Sequence, residues 1–64
     1  MNIMTNQEIM DQYADTVRRF NATDMDDPMS DTLELECARL EKVGAERGII
    51  NAMEQLMTDI MSYE

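Results

Sequence analysis

The sequence predicts an all-α protein, a small helical hairpin or three-helix bundle that associates with copies of itself. Three observations carry this. Apolar residues recur at three- and four-residue steps along most of the chain. Two helix-start signals, at Thr5 and at Asp27-Pro28, are separated by a run of turn formers. The C-terminal stretch is apolar around more of its circumference than one short neighbouring helix can cover.

The first helix is expected over residues 6–20. Thr5-Asn6-Gln7-Glu8 fits a capping box, in which the Thr5 hydroxyl accepts from the Glu8 amide while Glu8 reaches back. Met4 and Ile9 stand at the positions of a hydrophobic staple, and Met1 to Met4 are expected to fray. The apolar face is Ile9, Met10, Tyr13, Ala14, Val17 and Phe20. Arg18 and Arg19 close the helix, where cations suit the negative end of the dipole. Asn21 to Asp27 has no periodicity and reads as a loop.

The second helix is expected over residues 28–43, with Asp27 as N-cap and Pro28 in the first turn. At heptad spacing the apolar positions run Met29, Leu33, Leu40, Val43, Ile50, Met53, Met57 and Ile60, so the pattern continues or restarts as a helix over 48–62. Gly44 and Gly48 weaken the middle by about 1 kcal/mol each relative to Ala. The surviving phase, and the lack of proline or of an Asn-Gly or Ser-Gly turn there, favour a continuous or kinked helix over a clean break. Gly44, Gly48 and Ala52 form a small-residue stripe that would admit another backbone. Ile49, Ile50, Met53, Leu56, Met57 and Ile60 are expected to supply a homodimer interface.

Composition excludes several function classes. The chain has 64 residues, so it is a single small helical domain, marginal unless stapled. One cysteine and no histidine leave no intrachain disulfide, no zinc site and no histidine-dependent triad. Cys37 reads as a small buried hydrophobe rather than a reactive thiol. The stretch from Asp24 to Leu35 fails the calcium-loop pattern, with Pro28, Met29 and Leu35 where a ligand, glycine and glutamate are needed. No enzyme activity, cofactor or metal is expected. The N-terminal MNIMTNQEIM lacks the basic and apolar regions of a signal peptide, and no apolar run is long enough to span a membrane, so a cytoplasmic protein is expected.

The net charge is −9, from 14 acids and 5 bases. Direct binding to nucleic acid or to an anionic membrane is therefore not expected, and a protein partner with a basic surface is. Most bases have a local acid at helical spacing: Asp15 for Arg18 or Arg19, Glu36 for Arg39, Glu46 for Lys42. Two acid groups are left over. One is Glu8 with Asp11. The other is Asp24, Asp26, Asp27, Asp31 and Glu34, in a stretch without Lys or Arg. With Met25 they form the expected partner-binding set, while Met29 is expected to be buried beneath the loop.

No family motif is present. In size and charge alone the chain is similar to small acidic helical proteins, encoded by phages and mobile elements, that occupy nucleic-acid-binding sites on host enzymes, as some anti-CRISPR and anti-restriction proteins do. That likeness implies an inhibitor whose carboxylates stand in for phosphates. The alternative is a structural or regulatory helical oligomer, a scaffold or antitoxin-like partner, whose apolar seam is itself the function.

Overall fold

The structure, a computed structural model, describes residues 4–62. Its regular elements among them are three α-helices: α1 spans Asn6–Ala22, α2 Pro28–Arg47 and α3 Ile50–Ser62. The expected fraying of the N-terminus falls mostly outside the described residues, and Met4 packs against the core.

Helix α1 begins as its sequence dictates. The Glu8 amide donates to Thr5 Oγ1 at 3.1 Å, and the Thr5 amide donates to Glu8 Oε1 at 2.9 Å. The Thr5 amide holds the Glu8 carboxyl below its ordinary range, because the hydrogen bond favours the charged form. The helix runs to Ala22, two residues past the expected end, where Thr23 caps it through its amide to the Phe20 carbonyl.

Helix α2 starts at Pro28 with Asp27 as N-cap, Asp27 Oδ1 accepting from the Met29 amide at 2.9 Å. It ends in the glycine pair, and here the favoured continuous helix is overturned. Gly48 adopts φ 75° and ψ 20°, the left-handed conformation that costs residues with a Cβ and not glycine. The Gly48 amide donates to the Ala45 carbonyl at 3.2 Å and the Ile49 amide to the Gly44 carbonyl at 2.9 Å, the paired bonds of a Schellman ending. Helix α2 thus reaches Arg47 rather than residue 43, and α3 begins at Ile50 rather than 48.

Antiparallel α1 and α2 form the hairpin, and α3 folds back against both. Ile9, Tyr13, Val17, Leu40 and Met53 make the central cluster. Met53 is wholly buried and lies against Gly44, where a Cβ would overlap its Sδ. The expected small-residue stripe therefore acts at one position only. Gly44 admits a side chain rather than a backbone, while Gly48 and Ala52 face solvent.

Burial satisfies the polar groups it traps. The Tyr13 ring is fully enclosed and its hydroxyl donates to Glu41 Oε2 at 2.7 Å, with Met57 Sδ also 3.4 Å away. Burial first, and the Glu41 carboxylate second, push the phenol pKa above its usual value. Burial likewise raises the Cys37 thiol, with Glu41 adding to the shift, so the thiol stays protonated near neutrality. At the opposite end of the hairpin Arg47 donates to Asn6 Oδ1 at 3.2 Å and clips the start of α1 to the end of α2.

Candidate functional site

The expected partner-binding residues are all exposed, but they do not converge. Because α1 and α2 run antiparallel, Glu8 and Asp11 lie at the Asn6–Arg47 end of the hairpin. At 1.5 Å rise per residue they are roughly 20 Å from the α1–α2 loop. Both are also engaged locally, Glu8 in the capping box and Asp11 accepting from Gln7 Nε2 at 2.9 Å. They drop out of any single patch. Asp31 and Glu34 project from the side of α2 opposite Met29, Thr32 and Glu36, since two residues apart on a helix means about 200°.

What remains together is the hairpin tip, Thr23–Asp27, with the first turn of α2. Its backbone is closely bonded. The Asp27 amide donates to the Asp24 carbonyl at 3.0 Å, and the Ser30 amide to the Asp27 carbonyl at 2.9 Å. The buried Ser30 hydroxyl donates to the Met25 carbonyl at 3.3 Å, and the Thr23 hydroxyl to the Arg19 carbonyl at 2.6 Å. With its backbone so held, Met25 stands 85% exposed between Asp24 and Asp26. Met29, expected under the loop, is instead 54% exposed, because Leu33 and Ser30 occupy the inner side of that turn.

Among the described residues no Lys or Arg pairs with Asp24, Asp26, Asp27, Asp31 or Glu34. Asp27 alone of the tip carboxylates is spent, on the helix cap. Arg19, the cation nearest in sequence to form an ion pair, is held by Asp15 at 3.1 Å, and Arg39 is held by Glu36. Lys42 and Glu46, the third expected pair, do not meet.

Beside the tip lies a groove of about 320 Å³ between α1 and α2, walled by Gln12, Asp15 and Arg19 on one side and by Met29, Thr32 and Glu36 on the other. Thr16 and Leu33, both buried, form its floor. Periodicity alone does not reveal this groove, because it depends on which side of the hairpin α3 takes.

The expected dimer surface is also redistributed. Met53 belongs to the protomer's own core, since its side chain is consumed by Gly44 and Tyr13's neighbours. Ile49, Ile50, Leu56, Met57 and Ile60 are half-buried against that core, and Met61 is the large apolar residue of α3 left exposed, at 42%. Among the described residues no acidic or cysteine cluster is arranged to hold a metal, and no helix is long and apolar enough to cross a membrane. Compared with protein-family models, curated proteins and solved structures, the chain matches none.

Proposed function

We propose that this chain is a small acidic protein-binding module whose hairpin tip docks on the basic surface of a nucleic-acid-handling protein and competes there with nucleic acid. The observation that carries the reading is Met25, almost fully exposed on a hydrogen-bonded loop and flanked by Asp24 and Asp26, which no described cation neutralises. An exposed apolar side chain ringed by free carboxylates suits a partner that offers an apolar notch among Lys and Arg. The carboxylates supply orientation and association rate, and Met25 and Met29 supply the buried area. The loop's internal bonds limit the ordering cost of docking.

The test is a variant with Asp24, Asp26, Asp27 and Asp31 changed to Asn, used beside the parent to capture partners from a lysate at low and high salt. The parent should retain a nucleic-acid-binding protein that high salt, or added nucleic acid, releases. The folded variant should not retain it. Equal retention by both proteins refutes the tip as the docking element.

The oligomer reading keeps one supporting observation, the exposed Met61 beside half-buried Ile60 and Met57 on α3. Its area is smaller than the sequence implies, because Met53 is already spent inside the protomer.

A further inference from the structure

Helix α3 is joined to the hairpin by two residues, Gly48 and Ile49, and this junction has the weakest local support in the fold. Helices α1 and α2 each start on a side-chain cap, Thr5 with Glu8 in one and Asp27 in the other. Helix α3 starts on Ile49. Its carbonyl accepts the first helical bond, from the Met53 amide at 3.1 Å, but its side chain can accept nothing. No acid stands in the first turn of α3 to offset the positive end of the helix dipole. The reversal itself rests on Gly48, the one described residue with a positive φ. With Gly48 and Ile49 in helical conformation, α2 would run into α3 without interruption. Leu40, Val43, Ile50, Met53, Met57 and Ile60 keep heptad phase across the link. The amides of Ile50, Asn51 and Ala52 would then find the carbonyls of Glu46, Arg47 and Gly48.

Within a single copy this merger strips the core. The end of α2 is level with the start of α1, where Arg47 meets Asn6, so a continued helix runs past α1 for about 20 Å. Met53 leaves Gly44, and Met57 leaves the Tyr13 hydroxyl. Ile9, Tyr13, Val17 and Leu40 lose their cover. The helix shaped to that vacated surface is α3, and a second copy in the same state supplies one.

We propose that Gly48 is an exchange hinge: two copies of this chain swap α3, with α2 and α3 merged into one helix in each copy. Every contact of α3 is remade on the other copy's α1–α2 hairpin, so the exchange is reciprocal and closed. Each chain gains helical bonds for the uncapped start of α3, and the pair loses the freedom of two separate molecules. Concentration therefore sets the balance. The hairpin tip lies at the opposite end of α2 from the hinge, so exchange leaves it intact and yields a dimer with two tips.

The test is Gly48→Ala in the full chain. Alanine disfavours the left-handed link by roughly tenfold and favours the helical one by about fivefold, in each of two chains. The dimerisation constant should rise roughly a thousandfold over the parent, read by sedimentation equilibrium. Asn51→Pro is the counter-variant. Asn51 is exposed and lies in the first turn of α3, where its amide has no helical partner and proline is tolerated. In the merged helix the same position is interior, where proline breaks the helix. Adding Asn51→Pro to Gly48→Ala should return a monomer. Isotope-filtered NMR on mixed labelled and unlabelled copies identifies the dimer: the Met53–Gly44 and Met57–Tyr13 contacts should appear between copies.

A Gly48→Ala chain that stays monomeric at millimolar concentration overturns the hinge. So does a dimer that Asn51→Pro leaves intact. A dimer whose Met53–Gly44 contact stays within one copy also overturns it, in favour of association through the outer surface of α3. If Gly48→Ala does not fold, the parent decides. Refolded at millimolar concentration, the parent should yield a dimer, separable by size exclusion, with the same contacts between copies. A parent that refolds to monomer alone overturns the exchange.

Discussion

Tyr13 is the residue on which core and electrostatics meet. Its ring is wholly buried, and its hydroxyl reaches the half-buried Glu41. Tyr13→Phe removes the donor and leaves the carboxylate partly desolvated, at a cost of about 1 kcal/mol measured by denaturant unfolding. The sign of the pH effect follows from the raised phenol pKa. The neutral hydroxyl is favoured in the folded state, so its contribution is complete below the unfolded tyrosine value of about 10 and is lost as pH rises beyond it. Alkaline unfolding should therefore steepen above about pH 10, and Tyr13→Phe should flatten that limb. An unchanged alkaline profile in the Phe variant would show that another group governs it. Gly44 offers a second residue-scale test. Alanine there gains about 1 kcal/mol of helix propensity but drives its Cβ into the Met53 sulfur. Overpacking of a full core typically costs about 1–3 kcal/mol, so Gly44→Ala should be neutral or destabilising. A gain in midpoint would mean that Met53 repacks freely.

The elements differ in how far their sequence announces them. The Thr5–Glu8 box and the Asp27-Pro28 start are local chemistry, four residues at a time, and both helices begin where those residues place them. The end of α2 is different, because Gly48 is compatible with either a weak helix interior or a left-handed stop. The choice is made by Met53, which can reach the core beside Gly44 only if the chain reverses, and that contact is invisible to periodicity. The same reversal explains why a heptad pattern that keeps phase through residue 60 belongs to two helices rather than one. It also explains why Met29 is exposed, since the α3 residues that share its stripe pack farther along α2. The tip carboxylates were identifiable from the lack of any base between Asn21 and Ala38, but their separation from Glu8 and Asp11 depends on hairpin orientation. A substitution tests the break directly. Gly48→Ala forces a Cβ into the left-handed region, costing about 1–2 kcal/mol, with no clash to complicate the reading because the site is open. Gly48→Asn should cost less, since Asn tolerates that conformation. If alanine is instead stabilising, with rising helix content, α2 and α3 have merged.

For the whole molecule, charge and apolar surface make opposite demands. Fourteen acids against five bases sit on a thin body, and only two ion pairs, Asp15–Arg19 and Glu36–Arg39, form among the described residues. Self-repulsion should therefore oppose folding of the free protein, and salt should relieve it by screening. A dimer formed through α3 would add further repulsion between two copies of the same acidic chain, so it too should be favoured by salt. Met61→Asp, at an exposed position, should dissociate such a dimer in sedimentation without unfolding the protomer. A complex held by Asp24, Asp26 and Asp31 against Lys and Arg has the reverse dependence, because the attraction itself is screened. The two readings thus predict opposite slopes on one axis. Raising salt from low to physiological strength should raise the melting temperature of the isolated chain while lowering its affinity for the partner. In the variant with Asp24, Asp26, Asp27 and Asp31 changed to Asn, both slopes should shrink together, since the docking reading assigns partner contact to the same carboxylates that repel one another in the free chain. A complex whose affinity holds or rises with salt would assign binding to the apolar surface of α3, leaving the tip as a solvated loop.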